Sequence, residues 1–170
     1  MRIPTNASPC SILIHLQRDL FWVQPPSSKD TPSQDQVLAG VVEIECPSDR
    51  AIDKLEIRLC GMQKIAIPEK VNEKSKQGPL SVRYEDHVVL DRTLTYTSEN
   101  LPTHSARTAR GNAPFLSRIT ETDSDTAIFL ERGVHDFEFH FIIPAWCPPF
   151  ERCRYAHTHY TITALSLIHI

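Results

Sequence analysis

Thiol and imidazole side chains lie close together near the C-terminal end of the sequence. Zinc accepts sulfur and nitrogen ligands of this kind, and the two histidines would share one face of a strand. A Cys-x5-Cys pair followed by His-x-His is not a common structural zinc spacing, so we interpret these residues as ordinary thiols and exposed histidines. The residues concerned are Cys147, Cys153, His157 and His159.

The same residues contain the elements of a Cys–His nucleophilic pair. No strand-to-helix nucleophile turn and no oxyanion loop accompanies them, and the sequence has no phosphate loop or dinucleotide fingerprint. We therefore assign no catalytic, cofactor-binding or metal-binding residue and expect a protein that is not an enzyme. A small hydrolase or metal-binding protein on a β-scaffold is the alternative from another functional class.

Composition and charge narrow the range of partners. The chain has 170 residues, enough for one domain with a core, and its net charge of -3 gives no general attraction to nucleic acid. Five cysteines without a Cys-x-x-Cys motif favour reduced thiols in the cytosol, and no apolar run approaches a membrane span. A lysine cluster offers contacts to acidic tails or anionic lipid, although a solvated loop is the simpler interpretation: Lys64, Lys70, Lys74 and Lys76.

The rest of the chain is organised around the segment from Leu130 to Pro144. Gly133 opens a strand after a turn, and Pro144 ends it because proline cannot donate to a ladder. Between them a period of two, typical of a half-buried strand, places Phe137, Phe139, Phe141 and Ile143 on one face and Asp136, Glu138, His140 and Ile142 on the other. Each buried ring contributes roughly 1.5–3 kcal/mol, so this strand needs a second apolar surface to pack against.

Further alternating segments predict the strands that supply this surface. The clearest are Val37–Cys46, with Leu38, Val42, Ile44 and Cys46 on one face, and Ile52–Lys64, with Leu55, Ile57 and Leu59 inward and Gly61 marking a bulge. Others are Ile12–Leu16, His87–Thr93 with Val89 as a core candidate, and Arg154–Ala164 with Tyr160, Ile162 and Ala164 on one face. Alternating strands without an amphipathic helix predict an all-β fold, an antiparallel immunoglobulin-like β-sandwich.

The predicted domain covers residues 11–164 and follows an N-terminal tail, residues 1–10. Within the domain, Thr97–Thr126 is long, polar and broken by Pro102, Gly111 and Pro114. We interpret it as a mobile insertion outside the core.

The order of these segments resembles the N-terminal domain of the arrestin family, in its α-arrestin or arrestin-related branch. The resemblance covers about Ser11–Ala164, and the ordered set of motifs is more specific than any motif alone. In chain order the motifs are Leu38-Ala39-Gly40-Val41-Val42, Leu55-Glu56-Ile57-Arg58-Leu59-Cys60-Gly61, Gly133-Val134-His135-Asp136-Phe137-Glu138-Phe139-His140-Phe141-Ile142-Ile143-Pro144 and Tyr160-Thr161-Ile162-Thr163-Ala164.

This resemblance implies an arrestin-like adaptor without a cofactor that acts in endocytosis and protein trafficking. Such a protein is cytoplasmic or peripheral at the plasma membrane or endosomes, and it binds the cytoplasmic tails of membrane transporters or receptors. Many α-arrestins recruit HECT-type ubiquitin ligases through Pro-Pro-x-Tyr motifs. Pro148-Pro149-Phe150-Glu151 is not such a motif, so recruitment would need regions absent from this chain. The alternative within the fold is a retromer-subunit-like scaffold that binds coat partners.

Arg18-Asp19 follows the first strand, and a similar pair does so in the visual and β-type arrestins. There the aspartate belongs to a buried ionic core that senses phosphorylated tails. A solvated charge pair at a strand end is the simpler interpretation here.

The final six residues, Leu165-Ser166-Leu167-Ile168-His169-Ile170, are the in-frame translation of the end of a transposon sequencing adapter. We therefore expect residues 165–170 to be a sequencing-adapter artefact and the chain to be a truncated fragment of a longer protein.

Overall fold

A computed structural model describes residues 9–18, 34–68, 82–101, 105–107, 127–153 and 155–168. These residues form nine β-strands: β1 (Ser11–Leu16), β2 (Gln36–Cys46), β3 (Arg50–Pro68), β4 (Val82–Tyr96), β5 (Ser105–Arg107), β6 (Ile128–Leu130), β7 (Gly133–Ile143), β8 (Glu151–Arg152) and β9 (Ala156–Ile168). Sheet A has the order β1-β2-β7-β5, and sheet B has the order β4-β3-β9-β8 with β6 also paired to β3. All these pairs are antiparallel, which confirms the predicted all-β antiparallel sandwich.

The core between the two sheets contains the faces predicted to point inward. On β7 the alternation buries Phe137, Phe139 and Phe141. The predicted faces of β2 and β3 are buried with them, and Ile162 of β9 packs against the same cluster: Leu38, Val42, Ile44, Cys46, Leu55, Ile57 and Leu59. The prediction that these aromatic and aliphatic side chains share one core is therefore confirmed.

A tyrosine joins the sheets at the end of β4. The Tyr96 hydroxyl donates a hydrogen bond across the sandwich to the backbone carbonyl of Glu138 at 2.6 Å, and its ring lies 6.1 Å from that of Phe137. Because a buried hydroxyl needs a partner, this bond fixes how β4 lies over β7.

The ends of β7 also follow the sequence prediction. Gly133 has a φ of 147°, a conformation that side chains with a Cβ rarely adopt, and Pro144 follows the last strand residue. Near the start of the strand, the buried His135 places Nε2 2.7 Å from the carbonyl oxygen of Glu131. Since a carbonyl oxygen only accepts, Nε2 carries the proton, and its hydrogen bond connects the strand to the preceding turn.

The bulge predicted at Gly61 exists, but its extra residue lies on the neighbouring strand. Gly61 pairs with Leu90 and Met62 pairs with Val88, which leaves Val89 unpaired between them. Val89 is only half-buried, whereas Leu90 is 3% exposed and belongs to the core. The assignment of Val89 to the core was therefore wrong, because three consecutive apolar residues do not reveal which one faces inward.

One part of the predicted insertion joins the fold. Ser105, Ala106 and Arg107 form β5, which extends sheet A beside β7, so these residues differ from the prediction. Asp136, expected on the solvent side, is 8% exposed where Ser105 pairs with it. Residues 97–101 of the same segment are also described, and Leu101 packs against the core. The rest of the predicted insertion, residues 102–104 and 108–126, lies outside the described residues.

Several strands are longer than the sequence predicted, and β9 runs to Ile168. Ser166 and Leu167 pair with Leu55 and Lys54 of β3. Apolar residues extend a strand whatever their origin, so the adapter interpretation of residues 165–170 stays a prediction.

Candidate functional site

The backbone of β1 has an open side at the edge of sheet A. The Gln17 N–H donates to the Ala39 carbonyl at 2.9 Å, and these residues lie opposite each other in the continued β1–β2 register. Bonded and non-bonded pairs alternate in an antiparallel ladder, so the amides and carbonyls of Ile12, Ile14 and Leu16 point away from β2. In the described part of the chain no strand pairs with that side.

The side chains of β1 hold the strand in place without blocking its open side. Ile12 and Ile14 pack against the core, while Leu13 and Leu16 are 52% and 41% exposed. The strand carries no Asp, Glu, Lys or Arg, the residues that commonly protect sheet edges from pairing. The open edge of β1 is therefore suited to bind an extended peptide through main-chain hydrogen bonds.

Gly40 of β2 allows β1 to approach closely. A Cβ at this position would collide with the backbone carbonyl oxygen of His15 and would lie 2.6 Å from Cζ of Phe139. Glycine is thus required here by close contact with a neighbouring backbone, and the Phe139 ring fills the space that a side chain would otherwise occupy.

The edge of sheet B at β4 differs in its side chains. Glu85 forms ion pairs with Arg83 and with His87, the latter at 3.6 Å if the imidazole is protonated. Asp86 lies 3.9 Å from Lys64, and the bulge at Val89 interrupts the regular ladder. Charges and a bulge are two features that discourage strand addition, so β4 is a protected edge.

The other end of sheet B leaves part of β9 open. The two residues of β8 pair only with His157 and Thr158. Beyond them, residues 159–168 have no further strand on that side within the described ranges, and they include no Asp, Glu, Lys or Arg. This edge is a second place where a strand could add, although its last part falls in the segment predicted to be an adapter artefact.

The outer face of sheet B carries a cavity of about 520 Å³ beside an ion pair. Arg58 donates two hydrogen bonds to the Asp91 carboxylate, at 2.8 and 2.7 Å. These bonds lower the pKa of Asp91 below its ordinary value. The charges of Arg58 and Asp91 neutralise each other, and the cavity lining contains no thiol or imidazole. Its lining residues are Glu56, Arg58, Asp91, Thr93, Thr163 and Leu165.

The structure separates the four residues weighed as zinc ligands. His157 and His159 point outward from β9, with ring centroids 5.3 Å apart, whereas Cys147 is buried on the inner side. The Cys153 sulfur accepts a hydrogen bond from the Ala156 amide at 3.2 Å. No group of three or more His, Cys, Asp or Glu side chains suited to a metal occurs among the described residues.

The inner face of β9 instead holds a buried thiol and phenol. The Tyr160 hydroxyl donates to the Pro148 carbonyl and lies next to Cys147. Burial, followed by the neighbouring thiol, raises the pKa of Tyr160 to about 12. Burial likewise raises the pKa of Cys147, so this thiol is protonated at neutral pH and is a poor nucleophile.

The charged residues considered from the sequence are mostly outside the described ranges. Arg18 is exposed just beyond β1, and Asp19 lies outside the described residues. Lys64 is exposed on β3, with its ammonium 5.7 Å above the Tyr84 ring. The other three lysines of the cluster are also outside: Lys70, Lys74 and Lys76.

Two thiols that the sequence left unconnected meet at the beginning of β1. The sulfur atoms of Cys10 and Cys46 are 3.4 Å apart, and Cys46 is 1% exposed. Burial, with a further contribution from Cys10, raises the pKa of Cys46. No spacing signal in the sequence indicates this contact, because it depends on the β1–β2 register.

No helix in the described part of the chain is long and apolar enough to cross a membrane. No curated protein sequence matches the chain. Among solved structures, it is similar to the sporulation control protein Spo0M from Bacillus subtilis, with 9% sequence identity and a TM-score of 0.44. That comparison covers 95% of this chain and 49% of Spo0M, so the chain spans about half of that protein's length. The model of the arrestin (or S-antigen) N-terminal domain matches residues 23–167, which is most of the sequence, and the chain therefore belongs to the arrestin N-terminal domain family.

Proposed function

We propose that this chain is a non-enzymatic adaptor domain that binds the cytoplasmic tails of membrane transporters or receptors. The tail would add to sheet A as an extended strand beside β1, and the domain would act at the cytoplasmic face of the plasma membrane or endosomes during endocytosis. Family membership supports the adaptor role. The open, uncharged backbone edge of β1 carries the proposed mode of binding.

The contrast between edges supports β1 as the docking strand. The edge of β4 carries the Arg83–Glu85 ion pair and a bulge, whereas β1 pairs regularly with β2 over its whole length. An added strand would meet the free amides and carbonyls of Ile12, Ile14 and Leu16. Exposed Leu13 and Leu16 would contact alternate side chains of the tail and contribute selectivity.

Two substitutions at Leu16 test the backbone contact. Leu16→Pro removes an N–H that points away from β2, and therefore leaves the β1–β2 hydrogen bonds in place. Leu16→Ala keeps that N–H and is the matched control for loss of the side chain. On an array of peptides tiling the cytoplasmic tails of transporters and receptors, we expect Leu16→Pro to weaken binding about tenfold relative to Leu16→Ala, since it removes one hydrogen bond and places a ring in the path of the tail.

Amide exchange identifies the edge that is used. A bound tail peptide should slow exchange at Ile12, Ile14 and Leu16, whereas slowing at residues 160–164 would assign docking to β9 instead. Equal binding by the two Leu16 variants would contradict the β1 mode. Failure of every tail peptide to bind the folded wild-type protein would contradict the adaptor role and favour a scaffold that binds coat partners.

Ligase recruitment is a separate proposal. A HECT-type ubiquitin ligase would be recruited by Pro-Pro-x-Tyr motifs outside this chain, because Pro148-Pro149-Phe150-Glu151 lacks the tyrosine. In a co-precipitation experiment the domain alone should therefore not bind such a ligase, whereas a longer protein that carries these motifs should bind it.

A further inference from the structure

The register of β1 on β2 places two cysteines directly opposite each other. Ser11 pairs with Glu45, so one step further along the same register brings Cys10 opposite Cys46. Gln17 and Ala39 form a hydrogen-bonded pair. Hydrogen-bonded and non-hydrogen-bonded pairs alternate along an antiparallel ladder, so Cys10 and Cys46, seven positions further along, form a non-hydrogen-bonded pair. At such sites facing Cα atoms lie about 4.5 Å apart and side chains approach more closely than elsewhere in the ladder.

This arrangement matches what a disulfide requires. Disulfides join residues whose Cα atoms are about 4.4–6.8 Å apart, a range that includes the spacing of a non-hydrogen-bonded pair. Both side chains lie on the inner face of sheet A, where Cys10 packs against the core and Cys46 belongs to it. With the sulfur atoms already 3.4 Å apart, bond formation needs only a small side-chain movement.

We propose that Cys10 and Cys46 form an oxidation site, at which a hydroperoxide converts the two thiols into a disulfide that fastens the start of β1 to the end of β2. Disulfide formation is independent of tail binding, because it is a covalent change inside sheet A that occurs whether or not β1 receives a partner strand.

The chemistry uses the two sulfurs in different roles. Cys10 is the more exposed, and its thiolate attacks one peroxide oxygen, which breaks the O–O bond and gives a sulfenic acid and, with the released proton, water. The Cys46 thiol, held 3.4 Å from the Cys10 sulfur, then attacks that sulfur while its proton passes to the departing oxygen, so that the S–O bond breaks and a second water leaves. In total, two thiols and one hydrogen peroxide give one disulfide and two waters.

Two of the remaining three cysteines provide internal controls. Cys153 is exposed, and its sulfur accepts a backbone hydrogen bond from Ala156. Cys147 is buried beside Tyr160. A peroxide should convert Cys153 to sulfenic acid without an internal disulfide, which makes this residue a measure of how much oxidant reached the protein.

Peptide mapping tests the proposal, since trypsin would place every cysteine in a separate peptide. Residues 3–18 carry Cys10 and residues 30–50 carry Cys46. After treatment of the folded protein with hydrogen peroxide, dimedone trapping and digestion without reductant, we expect these two peptides joined and two hydrogen atoms lighter than their sum. Dithiothreitol should separate them. Cys153→Ser should leave the yield of the joined peptide unchanged.

A second variant and a second measurement complete the experiment. In Cys46→Ala, dimedone should trap a sulfenic acid on Cys10 that is not resolved. In the oxidised wild-type protein, exchange of the β1 amides bonded to β2 should slow on the order of 100-fold, because closing a long loop disfavours opening of the strand. Recovery of Cys10 as a free thiol or sulfinic acid in wild-type protein whose Cys153 is labelled by dimedone would overturn the proposal.

Discussion

Replacing Phe139 by alanine tests the inner face of β7 and the packing of sheet A together. The Phe139 side chain is 3% exposed, and its ring centroid lies 5.8 Å from that of Phe141. Loss of its buried apolar surface costs about 1.5–3 kcal/mol, and loss of the aromatic pair adds about 0.5–1.5 kcal/mol. With the cavity left behind, Phe139→Ala should lower the free energy of unfolding by about 3–5 kcal/mol.

Gly40 extends this prediction to a double-mutant cycle. Gly40→Ala places a methyl group 2.6 Å from Cζ of Phe139 and against the His15 carbonyl, so it should cost about 1–3 kcal/mol alone. In Phe139→Ala the ring is gone and only the backbone collision with His15 remains. The double variant should therefore be more stable than the sum of the single costs predicts, by about 1 kcal/mol.

Urea unfolding followed by far-ultraviolet circular dichroism is the suitable assay. Trp146 is 68% exposed, so the fluorescence of this residue is a weak reporter of core packing. If Phe139→Ala does not fold, Phe139→Leu should retain the fold at a smaller cost, because it removes less volume. A cost below about 1 kcal/mol for Phe139→Ala would show that the ring is not in the core. Additivity within about 0.5 kcal/mol would show that the ring does not cover Gly40.

Three further predictions concern pH, proteolysis and the end of the chain. Burial raises the folded-state pKa of Tyr160 to about 12, above the unfolded value near 10, so its contribution to stability is complete below pH 10 and is lost between about pH 10 and 12. In Tyr160→Phe, the free energy of unfolding from urea titrations should change less with pH in that window than in the wild-type protein. An unchanged pH dependence would contradict the assignment to Tyr160. Trypsin should cut first at Arg110 and Arg118 in the polar segment and more slowly at Arg107, which pairs within β5, as a digestion time course followed by mass spectrometry can establish. Resistance of Arg110 and Arg118 would contradict this. Sequencing the genomic locus should show the reading frame departing from this sequence after Ala164, and a genomic match through residue 170 followed by a stop codon would refute the adapter interpretation.

The sequence was most informative where one face of a strand is apolar and the other is not. In β7 the alternation around Phe139 predicted the inner face correctly, because a shift of one residue would exchange core and solvent positions. In β4, Val88, Val89 and Leu90 are consecutive apolar residues, so only the pairing with β3 determines that Leu90 points inward. β5 has no apolar alternation at all, and β7 provides its only strand contact within the described ranges.

The candidate sites were harder to predict because they depend on register and on open edges. Proximity in sequence connected His157 and His159 with Cys147 and Cys153. In the structure the two histidines point outward from β9, whereas Cys147, between β7 and β8, is buried on the inner side. Cys10 and Cys46 are separated by 36 positions and meet through the pairing of β1 with β2. Likewise, an unpaired edge is a property of the whole sheet and cannot be identified from the residues of the edge strand alone.

Among the described residues, a glycine opposite an aromatic residue occurs once in each sheet and explains why distant sequence motifs belong together. Gly40 of β2 pairs with Phe139 of β7, and Gly61 of β3 pairs with Tyr160 of β9. A Cβ on Gly61 would lie 2.5 Å from Cε1 of Tyr160, as one on Gly40 would meet the Phe139 ring.

In each sheet, therefore, an inward position without a side chain is covered by a ring from the next strand. The contact needs both residues. A glycine without the facing ring would leave its backbone exposed, and a ring facing a residue larger than glycine would not fit. The Leu-x-Gly motif and the alternating phenylalanines, although about 100 residues apart, are thus two halves of one contact. The same holds for Gly61 and the final Tyr-x-x-x-Ala motif, and this physical dependence is why the ordered set of motifs is more specific than any one of them.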